Sequence, residues 1–360
     1  MNELNFIFVW LAGWLILSNM ANFTVIENVN GKYERRWGIT AAFLVFFPIF
    51  WIACMGTPRS DTWLYISIFE GFPTDFGTLL SRLKSVESGQ GFQIFQFLIK
   101  KVFGNNVTAF RVAMALVHSI PLVLIFRKYS ESYLMTMFLF VSGSYHVGWL
   151  MNGLRQFMAV AIIFAATPFL QEKKYGRLIA VILLASTFHI SALLMLPVVF
   201  IVQGKAWNRK TLFYIVVALI AMYMFNNYTG AMGYMLQGTE YEGAVDNWQA
   251  MGDDGTSPIR VFVNAIPMML AFLGRNHILQ ENDSILNICV NMSVITTGLY
   301  LISMVTSGVM IGRLPVYTSM YNLVLLPNLI PKMFTERSTR MVKLIMIGCY
   351  LLYYMVEVGF

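Results

Sequence analysis

Long apolar runs separated by short polar segments dominate the chain. Each run has about the length, roughly 20 residues, that crosses the hydrocarbon core of a bilayer as a helix. The runs lie near residues 4–22, 37–54, 105–126, 132–150, 152–170, 177–203, 211–229, 258–274, 285–307, 313–331 and 341–358. The opening Met1-Asn2-Glu3 lacks the basic segment of a cleaved signal peptide, so we expect the first run to be a retained helix. The pattern predicts an all-α polytopic membrane protein.

Basic residues in the short connections predict the orientation. They form clusters at Lys32–Arg36, Arg127–Lys128, Lys173–Arg177, Lys205–Lys210, Arg275 and Lys332–Lys343. Cytoplasmic loops of membrane proteins carry an excess of Lys and Arg, so we expect all these connections in the cytoplasm.

The run 177–203 must then leave the cytoplasm and return, since basic clusters lie at both of its ends. We interpret it as two short, tilted or re-entrant helices, about 177–188 and 190–203, which meet near His189. This gives about twelve membrane helices with both termini outside. A single long helix is the alternative, and it would break the alternation of sides.

Two long loops are predicted on the outer side, 55–104 and about 230–257. In the first, apolar residues recur at helical spacing over 76–86 and again over 92–102, beside charged residues. Such stretches are typical of amphipathic helices that lie in the membrane interface. The second loop is acidic and rich in glycine.

Composition narrows the class further. Hydrophobic residues make up 58% of the chain and charged residues only 12%, about half the charge of a soluble domain. The net charge of +7 reflects basic residues at helix ends, which argues against nucleic-acid binding. The three cysteines have no paired spacing, no nucleotide motif is present, and we predict neither a metal site nor a cofactor. We expect one membrane domain, 1–360.

Five arginines flank the predicted outer ends of different helices, against the usual charge rule. A guanidinium cannot lose its charge and binds phosphate with two parallel hydrogen bonds, so these arginines suit a phosphate or diphosphate at the lipid head-group level. Snorkelling, or pairing with acidic residues or lipid phosphate, is the alternative. The five are Arg59, Arg111, Arg155, Arg260 and Arg313.

Arg155 is the most informative of these arginines. Asn152, Arg155, Gln156 and Ala159 have the spacing that places side chains on one helical face. Polar groups just inside a membrane are costly unless they line a wet cavity, so we expect this face to line one. A polar cap on the turn after residues 149–151 is the alternative.

Three residues are candidates for a general base: Asp61, Glu87 and His189. Asp61 lies four residues before Tyr65 and could instead cap the helix that starts near it. Glu87 could be an ordinary solvated acid. His189, with Ser191 two residues on, has the unperturbed pKa best suited to a base, although a structural hydrogen bond would equally explain it.

Several of these residues carry a resemblance to the EpsG family. Asn152-Gly153-Leu154-Arg155-Gln156-Phe157-Met158-Ala159 is similar to that family's N-x-x-R-Q-x-x-A, and Phe188-His189-Ile190-Ser191-Ala192 resembles its F-H-x-S-A. Arg59, Asp61 and Tyr65 look like its early outer-loop motif, and Arg313 with Tyr317 resembles its late R-x-x-x-Y. The resemblance covers roughly residues 55–330.

The resemblance implies a bacterial Wzy-type polysaccharide polymerase with a GT-C-like architecture in the cytoplasmic membrane. Its substrate would be an oligosaccharide repeat unit on undecaprenyl diphosphate, used at the outer face without a nucleotide sugar. Arg59, Arg155, Arg313, Gln156 and Asn152 would bind the diphosphate, and Asp61, Arg155 and His189 would be catalytic. A flippase and a chain-length regulator would be partners beside membrane lipid. A ligase with the same donor, or a flippase for lipid-linked oligosaccharides, is the alternative function.

Overall fold

A computed structural model describes residues 3–29, 32–58, 60–86, 88–143, 145–227 and 255–358. Arg59, Glu87 and the acidic loop up to residue 254 therefore lie outside the described residues. The described chain is mostly α-helical. Its helices, numbered in chain order, are α1 Glu3–Met20, α2 Ile39–Met55, α3 Ser60–Glu70, α4 Phe76–Ser85, α5 Gln90–Phe103, α6 Val107–Tyr129, α7 Tyr133–Ser142, α8 Tyr145–Trp149, α9 Leu154–Ala165, α10 Thr167–Gln171, α11 Tyr175–Phe188, α12 Met195–Ile201, α13 Arg209–Asn227, α14 Pro258–Leu273, α15 Arg275–Glu281, α16 Ser284–Met304, α17 Val316–Met333 and α18 Glu336–Val358.

Three helices in the described ranges are long and apolar enough to cross a bilayer by themselves: α6, α16 and α18. A fourth span results if α14 and α15, bent by 68° at Gly274, count as one. The other apolar helices are shorter, among them α1, α2, α9 and α11. The chain is thus a helical membrane protein, and the count of twelve spans and the GT-C arrangement stay predictions.

The helices form two compact units, residues 1–196 with 334–360 and residues 197–333. In the first unit α6 is the centre, because α2 and α9 pack on it and α11 packs on α9. Its core includes the buried side chains of Phe110, Phe126, Phe140 and Phe157. In the second unit α16 is the central helix, and α13, α14 and α17 pack on it.

The amphipathic helices predicted in the segment 55–104 are confirmed as α4 and α5, while the place of this segment on the outer side stays a prediction. Asp75 caps the N-terminus of α4, because its carboxylate accepts a hydrogen bond from the Thr78 N–H. In α5, the buried Lys100 ammonium donates to the carbonyls of Phe69 and Glu70, at 2.8 and 2.6 Å. A cation is favoured at a helix C-terminus, so Lys100 fixes the end of α3 against α5.

The predicted break in the run 177–203 is also confirmed. Helix α11 ends at Phe188, His189 is extended, and a 3₁₀ turn spans Ile190–Leu194 before α12. That the chain reverses its direction there stays a prediction.

A β-hairpin between α1 and α2 was not predicted by the apolar pattern. Strands β1 (Thr24–Val29) and β2 (Lys32–Trp37) pair antiparallel, with Thr24 opposite Trp37. One face carries Glu27 and Arg36. Glu27 forms an ion pair with Arg127 of α6, and Arg36 donates to the Ser130 carbonyl just after that helix. The Arg127 guanidinium also donates to the Trp37 carbonyl, so the hairpin is fastened to the end of α6.

We predict that this attachment depends on pH. The hydrogen bond from Arg127 lowers the pKa of Glu27 from its ordinary value of 4.5, against the opposing effect of burial. A lowered folded-state pKa means that the ion pair stabilises the attached hairpin above about pH 4.5, and that this contribution is lost as the pH falls through the lower, folded-state pKa.

Hydrogen exchange of residues 24–37 tests this prediction. Glu27→Gln should speed exchange relative to wild type at pH 7, and the difference should shrink at pH 4. Glu34→Gln is the control, because Glu34 pairs only with Arg36 of its own strand. Equal effects of the two variants at pH 7 would contradict the attachment.

Candidate functional site

Helix α3 is joined to the start of α9 by two hydrogen bonds. Asp61 Oδ2 accepts the Gly153 N–H at 2.7 Å, and Thr62 Oγ1 donates to the Met151 carbonyl at 2.7 Å. The sequence offered Asp61 as a cap for its own helix, and the structure instead shows its carboxylate bonded at the N-terminus of α9. A carboxylate is favoured there because the backbone N–H groups and the helix dipole are positive at that end.

Gly153 makes this junction possible. It precedes Leu154, the first residue of α9, with φ +70°, a conformation that other residues adopt at a cost. A Cβ at this position would lie 2.2 Å from Cζ3 of Trp149. Glycine therefore allows the turn to close tightly enough to present its N–H to Asp61.

Arg155, in the first turn of α9, is half-buried and held at one nitrogen. Its Nε donates to the Tyr65 hydroxyl at 3.0 Å, and its Cζ lies 5.8 Å from the centroid of the Tyr65 ring. Within the part of the chain that the structure describes, neither terminal nitrogen has a hydrogen-bond partner and no carboxylate pairs with the guanidinium. No described residue therefore occupies the edge formed by the two terminal nitrogens, which is the edge that binds phosphate best.

Tyr65 is itself positioned by packing. Its ring meets Phe92 of α5 edge to face, with centroids 5.3 Å apart. Both rings pack against a buried cluster that contains Phe69, Phe110 and Met158. Because α3, α5, α6 and α9 all contribute to this cluster, the Tyr65 hydroxyl has a rigid support.

Gly89, immediately before α5, makes room for the guanidinium. It has φ +85°, and a Cβ built on it would lie 2.7 Å from Nη1 of Arg155 and 3.9 Å from the Phe188 carbonyl oxygen. Glycine at this position lets the backbone before α5 approach Arg155 and the end of α11 together.

His189 and Ser191 form a local turn at the end of α11. His189 Nδ1 lies 2.7 Å from Ser191 Oγ and accepts the Ser191 N–H at 3.4 Å. One ring nitrogen is therefore engaged in capping the 3₁₀ turn. This contact supports the structural interpretation of His189, while its role as a base stays a prediction.

The other predicted site residues are placed as follows. Helix α9 begins at Leu154, so Asn152 is exposed in the turn before the helix. The prediction that Asn152 shares a helical face with Arg155, Gln156 and Ala159 is therefore wrong for Asn152. Gln156 and Ala159 are buried.

Arg111 donates to the Gly56 carbonyl at 2.6 Å, which caps the end of α2. In the second unit, Arg313 is exposed in a 3₁₀ turn and Tyr317 is buried in α17.

Three functional positions were missed by the sequence analysis, namely Thr62, Gly89 and Gly153. Gly153 lies inside the N-x-x-R-Q motif, and its position directly before a helix was the available signal. Gly89 is the glycine of a Ser-Gly step between two amphipathic stretches, which marks a turn but not the arginine beside it. Among the described residues, no group of three His, Cys, Asp or Glu side chains could hold a metal ion.

Comparison with known families agrees with the motifs that converge here. The model of the EpsG family matches residues 39–359, nearly the whole chain, and the chain belongs to that family. EpsG is a family of Wzy-type polymerases, which implies a general role in making polysaccharide. No curated protein and no solved structure matches the chain.

The position of Gly89 yields a testable prediction. Gly89→Ala should displace the Arg155 guanidinium, because the new methyl group would lie 2.7 Å from Nη1. Gly104→Ala is a control at the other end of α5: its φ of +64° is also positive and its ψ of −150° makes alanine at least as strained as at Gly89, but nothing lies within 4 Å of its Cβ.

We expect Gly89→Ala to lose about 1–2 kcal/mol of stability from the positive φ, and Gly104→Ala to lose at least as much, measured by thermal unfolding in detergent. Only Gly89→Ala should also lose most of its capacity to lengthen glycan chains. Equal activity of the two variants would show that Arg155 does not need this space.

Proposed function

We propose that this protein polymerises oligosaccharide repeat units carried on undecaprenyl diphosphate, at the outer face of the bacterial cytoplasmic membrane. It transfers the growing glycan from its lipid carrier to a fresh lipid-linked unit. The membership in the EpsG family supports the general role, and the geometry around Arg155 supports the chemistry.

The observation that carries the proposal is the state of the Arg155 guanidinium. Its Nε is bonded to Tyr65, and its terminal nitrogens are without partners among the described residues. A half-buried cation that is held in place and has no carboxylate partner among the described residues favours an anion beside it, and a diphosphate offers the planar match for two N–H groups. Arg59, Gln156 and Asn152 are further candidates for binding this anion, and Arg313 with Tyr317 stays a candidate from its motif alone.

The reaction follows from these groups. A hydroxyl of the fresh unit attacks the anomeric carbon of the growing chain, and the bond from that carbon to the diphosphate oxygen breaks. The electron pair leaves with undecaprenyl diphosphate, whose developing charge Arg155 stabilises. The proton of the attacking hydroxyl passes to a general base.

Asp61 is the proposed base. One of its carboxylate oxygens is engaged by the Gly153 N–H, and the carboxylate lies on the face of α3 that also carries Tyr65. The carboxylate is therefore fixed in the same junction as the phosphate-binding arginine. His189 and Glu87 are the alternatives, and Ser191 would orient His189.

Reconstitution tests the function directly. Purified protein in liposomes, given one lipid-linked repeat unit as both donor and acceptor, should produce a ladder of glycans on lipid together with free undecaprenyl diphosphate. A ligase would leave the single unit unchanged without its separate acceptor. Movement of the unit across the bilayer with no change in glycan length would instead indicate a flippase.

The planar guanidinium of Arg155, which can donate two parallel hydrogen bonds, gives a sharper prediction. Arg155→Lys keeps the charge but loses the bond to Tyr65 and the second parallel N–H, so ladder formation should slow by about 10²–10³-fold, comparable to the loss of one oxyanion donor. Single-turnover kinetics would measure it. Arg111→Lys is the control: it replaces an arginine engaged with backbone carbonyls, so stability should fall while the chemical step is retained. A well-folded Arg155→Ala that polymerises at the wild-type rate would overturn the assignment.

Two substitutions at Asp61 separate positioning from proton transfer. The amide of Asp61→Asn can still accept the Gly153 N–H, so the junction should persist while the base is lost. Asp61→Ala removes both. If Asp61 is the base, Asn and Ala should both slow turnover by about 10²–10⁴-fold, yet only Ala should lower thermal stability.

His189 provides the counter-test for the base. We expect His189→Ala to reduce thermal stability, because the cap of the 3₁₀ turn is lost. Full turnover of Asp61→Asn, combined with a well-folded but inactive His189→Gln, would transfer the base role to His189.

A further inference from the structure

A buried histidine of the central helix α6 bonds to the backbone beside Arg155. His118 is 1% exposed, and its Nε2 lies 3.2 Å from the carbonyl oxygen of Leu154, the first residue of α9. A carbonyl oxygen can only accept, so Nε2 carries the hydrogen and donates it. The ring also packs edge to face against Phe157, with centroids 5.3 Å apart. His118 therefore contacts both ends of the first turn of α9.

The carbonyl that His118 binds belongs to the peptide bond that leads to Arg155. A peptide unit is planar, so the Leu154 carbonyl and the Cα of Arg155 lie in one rigid plane. A donor that holds the oxygen thereby orients the backbone from which the Arg155 side chain starts. The Tyr65 hydroxyl holds the same side chain further out, at Nε, 3.0 Å away. Arg155 is thus held at its backbone from α6 and at its guanidinium from α3.

Apolar packing alone would not set the rotation of this turn. The Leu154 side chain lies in the buried cluster with Met114, which is one turn before His118 on α6. Apolar contacts have no preferred direction, whereas a hydrogen bond weakens steeply when its angle departs from linear. His118 therefore supplies the directional contact between α6 and the start of α9.

The fold itself gains little from this bond. A helical carbonyl already accepts the N–H four residues later, so the Leu154 oxygen would keep a partner without His118. The other ring nitrogen, Nδ1, is buried and has no hydrogen-bond partner within the described ranges. An unsatisfied buried acceptor costs stability. An apolar side chain of similar size would fill the same space without that cost.

We propose that His118 is a positioning residue for the diphosphate site. It orients the Leu154–Arg155 peptide unit so that the guanidinium meets the diphosphate at the angle that two parallel hydrogen bonds require. His118 is buried and acts through Arg155 rather than on the substrate. The inference rests on the proposed function, in which Arg155 binds the diphosphate.

Substitutions that separate stability from binding test this role. His118→Leu removes both the donor and the unsatisfied Nδ1, so thermal stability in detergent should equal or exceed that of the wild type. Equilibrium binding of a polyprenyl diphosphate should nevertheless weaken about tenfold. His118→Gln places an amide N–H near the position of Nε2 and should restore binding.

Ser119→Ala is the matched control on the same helix. The Ser119 hydroxyl is also buried and has no hydrogen-bond partner in the part of the chain that the structure describes. Its removal should affect stability in the same direction as His118→Leu, but diphosphate binding should stay at the wild-type level.

Coupling to Arg155 distinguishes positioning from general packing. His118→Leu should weaken diphosphate binding when Arg155 is present and have no further effect in the Arg155→Ala background. An equal loss in both backgrounds would overturn the proposal. A loss of thermal stability in His118→Leu that His118→Gln restores would also overturn it, because the bond would then serve the fold.

This inference and the proposed function fail in different ways. Unchanged diphosphate binding by a His118→Leu protein that polymerises normally would overturn the role of His118 alone. Binding that depends on His118 through Arg155, in a wild-type protein that lengthens no glycan, would overturn the proposed polymerisation and leave the positioning role standing.

Discussion

The candidate site depends on one connection, between helix α3 and the N-terminus of helix α9. One face of α3 holds two positions at the start of α9: the Asp61 carboxylate accepts the Gly153 N–H, and the Tyr65 hydroxyl accepts the Nε–H of Arg155, two residues further on. The Asp61 carboxylate and the Arg155 guanidinium do not form an ion pair with each other. Two features of the first compact unit support this connection. One is the buried aromatic cluster that contains Phe92 and Phe110, and the other is Lys100 of α5, which donates to the carbonyls at the end of α3.

Much of the helical architecture could be predicted because a membrane helix is specified by its own sequence. The apolar runs anticipated α1, α2 and α6, and the basic clusters at both ends of the run 177–203 anticipated the break at His189. The β-hairpin was missed because its strands are short and charged, although Asn30-Gly31 in the sequence is a strong hairpin signal. Its attachment depends on Arg127, about a hundred residues away, which periodicity cannot reveal.

The site was predictable in its residues but not in its contacts. Arg155, Asp61 and Tyr65 stood out because charge is costly near a membrane and because they fit a family motif. Two contacts depend on the packing of α3, α5 and α9 and could not be predicted. The Asp61 carboxylate bonds to the N-terminus of α9, and the missing side chain of Gly89 leaves room for the Arg155 guanidinium. Asn152 was misplaced because helical spacing was assumed to begin before the turn that Gly153 makes.

The central claim is that Tyr65 acts through Arg155 to prepare a diphosphate site. A double-mutant cycle on the equilibrium binding of a polyprenyl diphosphate tests it most directly, with Tyr65→Phe, Arg155→Ala and the double variant compared with wild type. The account predicts that Tyr65→Phe weakens binding in the wild-type background and has no further effect once Arg155 is alanine. Additive losses from the two substitutions, or binding unchanged by Arg155→Ala, would contradict it.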